Sequence, residues 1–366
     1  MTNELRIGMI SWAHVHAEFR AKALKELPGT RIVAISDDNE QRGRSAAQRF
    51  NVADFISDWR DLVRRDDIDV VMVHSENARH ADQVIAAAEA GKHVFCEKPI
   101  ATSSSDARRM LEAVEKAGVE GTAAFVSRFS QEATRAKAIL ESGILGSIIH
   151  TRSLIGLSGI REIGCPPDMA DWMEDPALGG GGAWIDEGSH GIDLVRWLIG
   201  DIVRLAAMTA NRAKPGLRVD DIGTAIFTYA NGALGEIGTA WSMAVEIGMR
   251  NLLEIYGSRG TLIMRATDQF PRIEVFDANG SPLLKGWSIP HIEADAKEPH
   301  DYSSWPPHVH HYKREVASYV NRFQSGTRPF GPTLRDGLAC ISVIEAGYRS
   351  AAQRGMACDI PPIECP

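Results

Sequence analysis

Short apolar runs alternate with helix-like patterns along the first third of the chain. The apolar runs, which predict buried strands, cover residues 5–10, 31–36, 70–74, 93–96 and 121–126. Helical spacing of apolar residues predicts helices at 17–27, 80–90 and 102–117. Strands that alternate with helices of this length form right-handed crossovers, so the pattern predicts an α/β domain with a doubly wound parallel sheet. Such sheets bind ligands at the carboxyl ends of their strands.

The pattern changes after residue 126. Longer stretches with polar–apolar alternation at 148–155, 202–210, 223–229, 233–241 and 251–256 predict strands, and 257–263 resembles a hairpin. Helices are predicted at 132–142, 184–199, 310–323 and 334–354, whereas 270–307 is rich in Pro, Asp and Gly and predicts loops. We therefore expect a first domain at 1–126 and an α+β domain with a mostly antiparallel sheet at 127–366.

Composition and charge narrow the functional classes. The chain has 366 residues, 44% of them hydrophobic and 24% charged, which is sufficient for a large core in each of two domains. The net charge of −8 argues against nucleic acid and anionic membrane as partners. The five cysteines show no paired spacing, and we find neither a signal peptide nor a membrane-spanning run, so a cytoplasmic location is expected.

The first turn has the position of a dinucleotide-binding turn but lacks its glycines. Where a Rossmann turn reads GxGxxG, this chain reads Ser-Trp-Ala-His-Val-His over residues 11–16. An ordinary turn in a protein that binds no nucleotide is the alternative. Asp37 follows the second strand, where an acid accepts hydrogen bonds from the ribose of NAD, and Asp38 adds repulsion toward a 2′-phosphate. These acids favour NAD over NADP, unless they are only solvated turn residues.

Later motifs make the resemblance specific. Cys96-Glu97-Lys98-Pro99 follows a predicted strand, and residues 180–190 read GGGxxxDxxxH with Asp186 and His190 at the polar positions. With residues 69–80, 90–94, 127–129, 257–260 and 345–350, these motifs resemble the Gfo/Idh/MocA oxidoreductase family over nearly the whole chain. The departures are the glycine-poor first turn and Glu76, where the family usually has proline.

The resemblance implies a fold, a cofactor and a substrate class. It implies an open sheet in the second domain, through which a homodimer or homotetramer forms, and a cis peptide at Lys98-Pro99. It also implies NAD or NADP as hydride carrier and a sugar, cyclitol or sugar acid as substrate. The residues expected around the cofactor are Ser11, Trp12, Ala13, His14, Asp37, Ser75, Asn77, His80, Glu97 and Lys98.

Three residues can carry alcohol oxidation, which needs a base near the hydroxyl and a group that stabilises the developing negative oxygen. Asp186 and His190 lie four residues apart on a predicted helix, so the carboxylate can orient the imidazole. We predict His190 as the principal acid/base, Asp186 as its orienter and Lys98 as oxyanion stabiliser and relay member. The roles of Lys98 and His190 are interchangeable at this level, and a solvated surface pair is the alternative for Asp186 and His190.

Three further side chains are candidates for substrate contact. Arg128 either reaches the pocket or pairs with an acid, and Trp172 either forms a wall for a sugar ring or belongs to the core. His311 belongs to a histidine cluster with His308 and His310 at the start of a predicted helix, where a solvated first turn is the alternative.

Two other functions stay open at this point. His14, His16 and the later histidine cluster resemble zinc ligands, as in a metal-dependent hydrolase or isomerase, although Lys98 and the glycine motif would then be unexplained and we expect no metal. The altered turn is also compatible with a non-catalytic sensor or corepressor. A related possibility is an enzyme that keeps NAD bound and uses it for lyase, glycosidase or isomerase chemistry.

Overall fold

The structure is a computed structural model that describes residues 4–243, 250–266, 272–283, 309–325 and 331–363. The first part of the chain forms, in order, β1 (Leu5–Ile10), α1 (His16–Glu26), β2 (Thr30–Ser36), α2 (Glu40–Phe50), β3 (Asp54–Ile56), α3 (Trp59–Val63), β4 (Val70–Val73), α4 (His80–Glu89), β5 (His93–Cys96), α5 (Ser104–Ala117) and β6 (Gly121–Ala123).

The remaining elements are α6 (Gln131–Glu141), β7 (Ile148–Gly156), α7 (Pro167–Met173), α8 (Pro176–Gly179), α9 (Ala183–Ile199), β8 (Ile202–Ala210), β9 (Ile222–Tyr229), β10 (Leu234–Ala240), β11 (Arg250–Gly257), β12 (Gly260–Ala266), β13 (Arg272–Asp277), α10 (Val309–Ser325), α11 (Leu334–Ala352) and β14 (Cys358–Asp359). Short 3₁₀ turns occupy Asn77–Arg79 and Val126–Phe129.

The first sheet confirms the predicted parallel architecture. Its six strands run in the order β3-β2-β1-β4-β5-β6, and every pairing within it is parallel. β4 and β5 are buried throughout except at the first residue of β5, because helices cover both faces of such a sheet. The strand order reverses at β1, between β2 and β4, and this reversal places a ligand crevice beyond the carboxyl ends of β1 and β4.

The second sheet is mixed and mostly antiparallel, as predicted. Its eight strands run β13-β12-β11-β7-β10-β9-β8-β14, and only the β7–β10 pair is parallel. α9 packs on one face of this sheet, where Gly191 lies against Ile237 of β10. A Cβ at Gly191 would come within 2.6 Å of the Ile237 side chain, so the glycine permits close approach of the helix.

Two predicted segments are corrected. The strand predicted at 121–126 ends at Ala123, because the chain turns into the 3₁₀ segment Val126–Phe129. The segment predicted as loops at 270–307 contains β13, which pairs with β12, and residues 284–307 lie outside the described residues. Isolated prolines and glycines nearby concealed this strand, since a single edge strand of six residues has a weak periodic signal.

The chain divides into two compact units, and each unit is built from three separate segments of the chain. The first unit comprises 1–125, 165–181 and 311–341, and the second comprises 126–164, 182–310 and 342–366. Within the first unit, Val316, Tyr319 and Val320 of α10 belong to the same buried cluster as β1. The boundary after residue 126 stays a prediction. Among the described helices, none combines the length and the apolar character needed to cross a membrane.

Candidate active site

The turn after β1 is built without glycine. Ser11 has a φ of 69°, in the left-handed region that a Rossmann turn assigns to glycine. Its Oγ accepts a hydrogen bond from the amide of Ala13 at 3.1 Å, which stabilises this conformation locally. The next amide, that of Trp12, donates to Asp37 Oδ2 at 2.7 Å. Asp37 is buried at the carboxyl end of β2, so the turn and the predicted ribose acid are directly connected.

His14 lies just before α1 and binds a backbone amide of its first turn. Its Nδ1 accepts a hydrogen bond from the amide of His16 at 3.2 Å, and burial lowers the pKa of His14 well below its usual value. The imidazole is therefore neutral and takes one of the amides that a helix N-terminus offers to phosphate. Trp172 lies on this turn, with its indole N–H donating to the carbonyl of Ala13 at 3.2 Å. A substrate contact for Trp172 stays a prediction.

Arg20 is a buried charged residue that the sequence reasoning missed. It lies on the apolar face of α1 between Ala17 and Leu24, and it is fully buried. Its guanidinium donates from Nη1 to Glu97 Oε2, and from Nε to Glu315 Oε2 at 2.9 Å. An arginine at a position with helical apolar spacing was the available signal, since a charge is buried there only with partners.

Glu97 links this buried cluster to Lys98. Glu97 Oε1 accepts from the backbone amide of Lys98 at 2.9 Å and lies 3.1 Å from His16 Nδ1. Burial alone would raise the pKa of Glu97, but the charge of Arg20 holds it well below its usual value. The carboxylate is thus ionised, and it anchors the residue that precedes the predicted catalytic lysine.

Three residues of this cluster could in principle bind a metal ion. His14, His16 and Glu97 each offer one ligand atom, and these atoms lie within 4.8 Å of one another. The hydrogen bonds of His14 Nδ1, His16 Nδ1 and Glu97 already use part of this donor set, and the buried guanidinium of Arg20 opposes a second cation beside Glu97. The arrangement is suited to a hydrogen-bonded ion cluster rather than to a cation cage.

The later histidine cluster is described in part. His308 and the side chain of His310 lie outside the described residues. His311 is half-buried in the first turn of α10. Its predicted contact with substrate stays a prediction.

Lys98 lies directly beyond β5 and is buried, with 3% of its surface exposed. The Lys98-Pro99 peptide bond is cis, as the family resemblance implied. His80 holds this segment from the neighbouring strand end. Its Nδ1 lies 3.0 Å from the carbonyl of Pro99 and its Nε2 lies 3.0 Å from the carbonyl of Ser75. Since His80 is fully buried, its position is that of a brace between two loops rather than of a solvated helix end.

Ser75 and Asn77 lie beyond β4 on the same edge of the sheet. Ser75 donates from Oγ to Gln83 Oε1 at 2.7 Å, and Asn77 donates from Nδ2 to the carbonyl of Gly179 at 2.9 Å. Both side chains are buried. Together with the first turn and Lys98, they place all ten predicted cofactor residues at or just beyond the carboxyl ends of β1, β2, β4 and β5.

In the second unit, α9 carries Asp186 and His190, both of them buried. Asp186 Oδ2 accepts from the indole N–H of Trp241 at 2.9 Å, and His190 Nδ1 lies 3.2 Å from Ser127 Oγ. A solvated surface pair is therefore excluded. Trp241 and Ser127 are partners that sequence reasoning did not identify, because they lie on other segments of the chain.

The glycine run before α9 allows Asp220 to approach the start of this helix. Gly180 has a φ of 84°, and a Cβ at Gly182 would lie 1.9 Å from the backbone oxygen of Asp220. The Asp220 carboxylate accepts from the amides of Gly182 at 3.1 Å and Trp184 at 2.7 Å, and from the Tyr348 hydroxyl at 2.8 Å. Asp220 therefore caps the helix that holds the predicted acid/base, and burial raises the pKa of this carboxyl.

Arg128 pairs with an acid, as one of its two predicted roles required. Its Nε and Nη2 donate to Asp193 Oδ2 and Oδ1 at 2.8 and 2.6 Å, and both side chains are buried. A bidentate pair of this kind fixes the guanidinium in one orientation. Contact between Arg128 and substrate stays a prediction.

Comparison with known proteins assigns both parts of the chain. Residues 5–125 match the oxidoreductase family with an NAD-binding Rossmann fold, and residues 133–263 match the GFO/IDH/MocA C-terminal domain. A levoglucosan dehydrogenase of Pseudarthrobacter phenanthrenivorans is 27% identical over 75% of this chain and 80% of that protein. A myo-inositol 2-dehydrogenase of Thermotoga maritima is 29% identical over 70% of this chain and 74% of its own length.

A solved structure shows the same fold. A levoglucosan dehydrogenase in complex with NADH superposes with a TM-score of 0.83, covering 98% of this chain and 100% of that chain at 24% identity. Both sheets of the structure described above are thus those of a known architecture.

Proposed function

This chain belongs to the Gfo/Idh/MocA oxidoreductase family, and on that premise we propose that it moves a hydride between NAD and a secondary alcohol of a sugar, cyclitol or sugar acid. The proposal depends most on one observation, which is that Lys98 is buried at the carboxyl edge of a parallel sheet. A buried lysine at a ligand crevice is a candidate for a functional charge. The relatives reported above are dehydrogenases, which gives no support to a metal hydrolase or a non-catalytic sensor.

The first unit fits the cofactor. The strand order and the reversal at β1 are those of a dinucleotide-binding sheet, and Asp37 ends β2 where an acid meets the adenosine ribose. Bound NAD supplies the hydride acceptor for alcohol oxidation. The residues that would hold it are those of the first turn, Asp37, and the side chains beyond β4 and β5.

The chain's own groups handle the proton and the oxygen. Lys98 Nζ donates a hydrogen bond to the substrate oxygen and stabilises the negative charge that develops there. His190 takes the hydroxyl proton at Nε2, since its Nδ1 is directed to Ser127 Oγ. Asp186, whose Oδ2 accepts from the indole N–H of Trp241, orients the imidazole of His190. Lys98 and His190 can share the proton transfer. Their separate contributions would be measured from the pH–rate profiles of the Lys98 and His190 variants.

The function is tested by a screen of sugars, cyclitols and sugar acids with NAD, in which NADH formation is followed by absorbance. We expect turnover with at least one member and a loss of about 100-fold or more in His190→Ala. His150→Ala is the matched control. His150 lies in the same unit as His190, stacks on Tyr256 and has no assigned role. A screen without NADH formation by folded, NAD-binding protein would refute the dehydrogenase proposal.

We further propose that the protein forms a homodimer or homotetramer through the open face of its second sheet. Met208, Ile226 and Leu234 are each more than half exposed on neighbouring strands β8, β9 and β10. Exposed apolar side chains grouped on one sheet mark an association surface. Light scattering should report a multiple of the monomer mass, and Ile226→Asp should lower it. A native monomer would contradict the assignment.

A cytoplasmic location is proposed from the cysteines. Cys96, Cys165, Cys340 and Cys358 are thiols rather than disulfides, which is typical of a reducing compartment. Cell fractionation tests this location, and recovery of the protein outside the cytoplasmic fraction would contradict it.

A further inference from the structure

His16 occupies the position at which a dinucleotide-binding turn has its third glycine. The three motif positions of this chain hold Ser11, Ala13 and His16, and the histidine is the first residue of α1. A glycine at the third position only permits close packing of helix on strand. An imidazole there brings a hydrogen-bonding side chain into the turn, so this chain has a polar group that the motif does not require.

The imidazole of His16 is held in one orientation by its neighbours. Its Nδ1 lies 3.1 Å from Glu97 Oε1, and the backbone amide of the same residue donates to His14 Nδ1 at 3.2 Å. The ring contacts the rings of His14 and Tyr312, with centroid separations of 4.1 and 4.8 Å. Since only 14% of the side-chain surface is exposed, water competes weakly for the bond to Glu97.

The proton on this imidazole is at Nδ1. Burial lowers the pKa of His16, so the ring is neutral at neutral pH. The carboxyl group of Glu97 is ionised there, because its pKa is held well below the usual value. An ionised carboxylate can only accept a hydrogen bond. A neutral His16 therefore carries its proton at Nδ1 and donates it to Glu97 Oε1.

Glu97 connects His16 with the backbone of the predicted catalytic lysine. The same oxygen, Oε1, accepts from the backbone amide of Lys98 at 2.9 Å, whereas Oε2 accepts from Arg20. Two donors from different segments thus meet on one carboxylate oxygen of a fully buried side chain. The place of that oxygen is set jointly by the first turn of α1 and by the start of the loop after β5.

We propose that His16 is a positioning residue for Lys98, and that through Glu97 it ties the turn that receives the cofactor to the backbone of the lysine. The proposal rests on the proposed function, because it concerns how the oxyanion donor of that reaction is placed. The turn before α1 is the part of such a sheet that meets the pyrophosphate of a dinucleotide. Lys98 must stand beside the substrate oxygen, where a displacement of about 1 Å is sufficient to slow an enzyme.

The test compares native protein with His16→Gly and His16→Asn in NAD affinity, measured by calorimetry, and in kcat with the substrate found in the screen. His16→Gly restores the motif residue and removes the donor to Glu97. Its NAD dissociation constant should stay within about threefold of native while kcat falls about tenfold, because the change affects Lys98 and not the cofactor. His16→Asn should recover most of the lost rate, since its Nδ2 can donate in place of Nδ1.

The protonated nitrogen of His16 is a readout that does not depend on turnover. In the imidazole nitrogen NMR spectrum, the resonances of His16 are those absent from His16→Asn, and they should show the proton at Nδ1. His93→Ala is the matched control for the rates. His93 lies in the same unit, at the opposite end of β5 from Lys98, and its Nδ1 accepts from the Glu120 amide at 3.0 Å. It should retain native kcat and NAD affinity, and melting curves show whether each variant is folded.

Four results would contradict the proposal, and one of them also contradicts the proposed function. A native kcat in folded His16→Gly would show that Lys98 is placed without His16. Weaker NAD binding by His16→Gly with an unchanged kcat would assign His16 to the cofactor instead. A proton at Nε2 of native His16 would remove the hydrogen bond to Glu97 on which the proposal depends. Absence of NAD-dependent turnover by folded native protein would refute the proposed function itself.

Discussion

Replacement of Lys98 by alanine is expected to lower the turnover number by about 100- to 1,000-fold, because the substrate oxygen loses its only assigned charged donor. The side chain is buried beyond β5, where water substitutes poorly for an ammonium. The measurement is kcat for NADH formation with the substrate found in the screen. NAD affinity, measured separately by calorimetry, should change much less than kcat, since the loss concerns the reacting oxygen.

The matched control is Lys92→Ala. Lys92 lies in the same unit and donates to the carbonyl of Arg65 at 2.7 Å, away from the strand end. It should retain the native rate. Lys98→Arg retains the charge but changes its geometry, so a partial recovery relative to alanine is expected. A Lys98→Ala rate within a few-fold of native would remove Lys98 from the mechanism.

Replacement of Arg20 by alanine should lower the free energy of unfolding by about 3–5 kcal/mol. The guanidinium is fully buried and binds both Glu97 and Glu315. Its loss leaves two carboxyl groups in a dry interior without their cation. Burial already raises the pKa of Glu315 to about 7 despite Arg20. The effect is measured as the shift of the denaturant midpoint at neutral pH.

Two variants distinguish this explanation from a general loss of packing. Lys22→Ala on the same helix removes a partly exposed pair with Glu18, and should cost less than about 1 kcal/mol. Adding Glu315→Gln to Arg20→Ala should restore part of the lost stability, because one uncompensated carboxyl is then removed. If Arg20→Ala were as stable as Lys22→Ala, the buried cluster would have no net role in stability.

Several parts of the site were predicted from motifs that resemble the family. Lys98, Asp186 and His190 were assigned from the Glu-Lys-Pro and GGGxxxDxxxH motifs, and all three side chains are buried at the expected elements. Their catalytic roles stay predictions. The strands of the first sheet were predictable because a buried parallel strand is an uninterrupted apolar run. The exception was β3, whose three residues are too short to show any period.

Other parts depended on residues that meet only after folding. Asp220 caps α9 from 36 positions beyond Trp184, and Glu315 reaches Arg20 across 295 positions. Arg42 donates to both carboxylate oxygens of Asp37, a pairing that the sequence reasoning did not anticipate. The preference for NAD that was argued from Asp37 and Asp38 agrees with the NAD-binding family that residues 5–125 match.

The two sheet types and most of their strands could be predicted from the sequence, whereas β3 and the helices α2, α3, α7 and α8 were not predicted. Apolar periodicity lies within a few neighbouring residues, so it is visible before the chain folds. Which charges are compensated, which glycines face a backbone oxygen and which histidines are neutral depend on the folded chain. Electrostatic energy in a buried site depends on distances between side chains from remote segments, and these distances exist only in the folded chain.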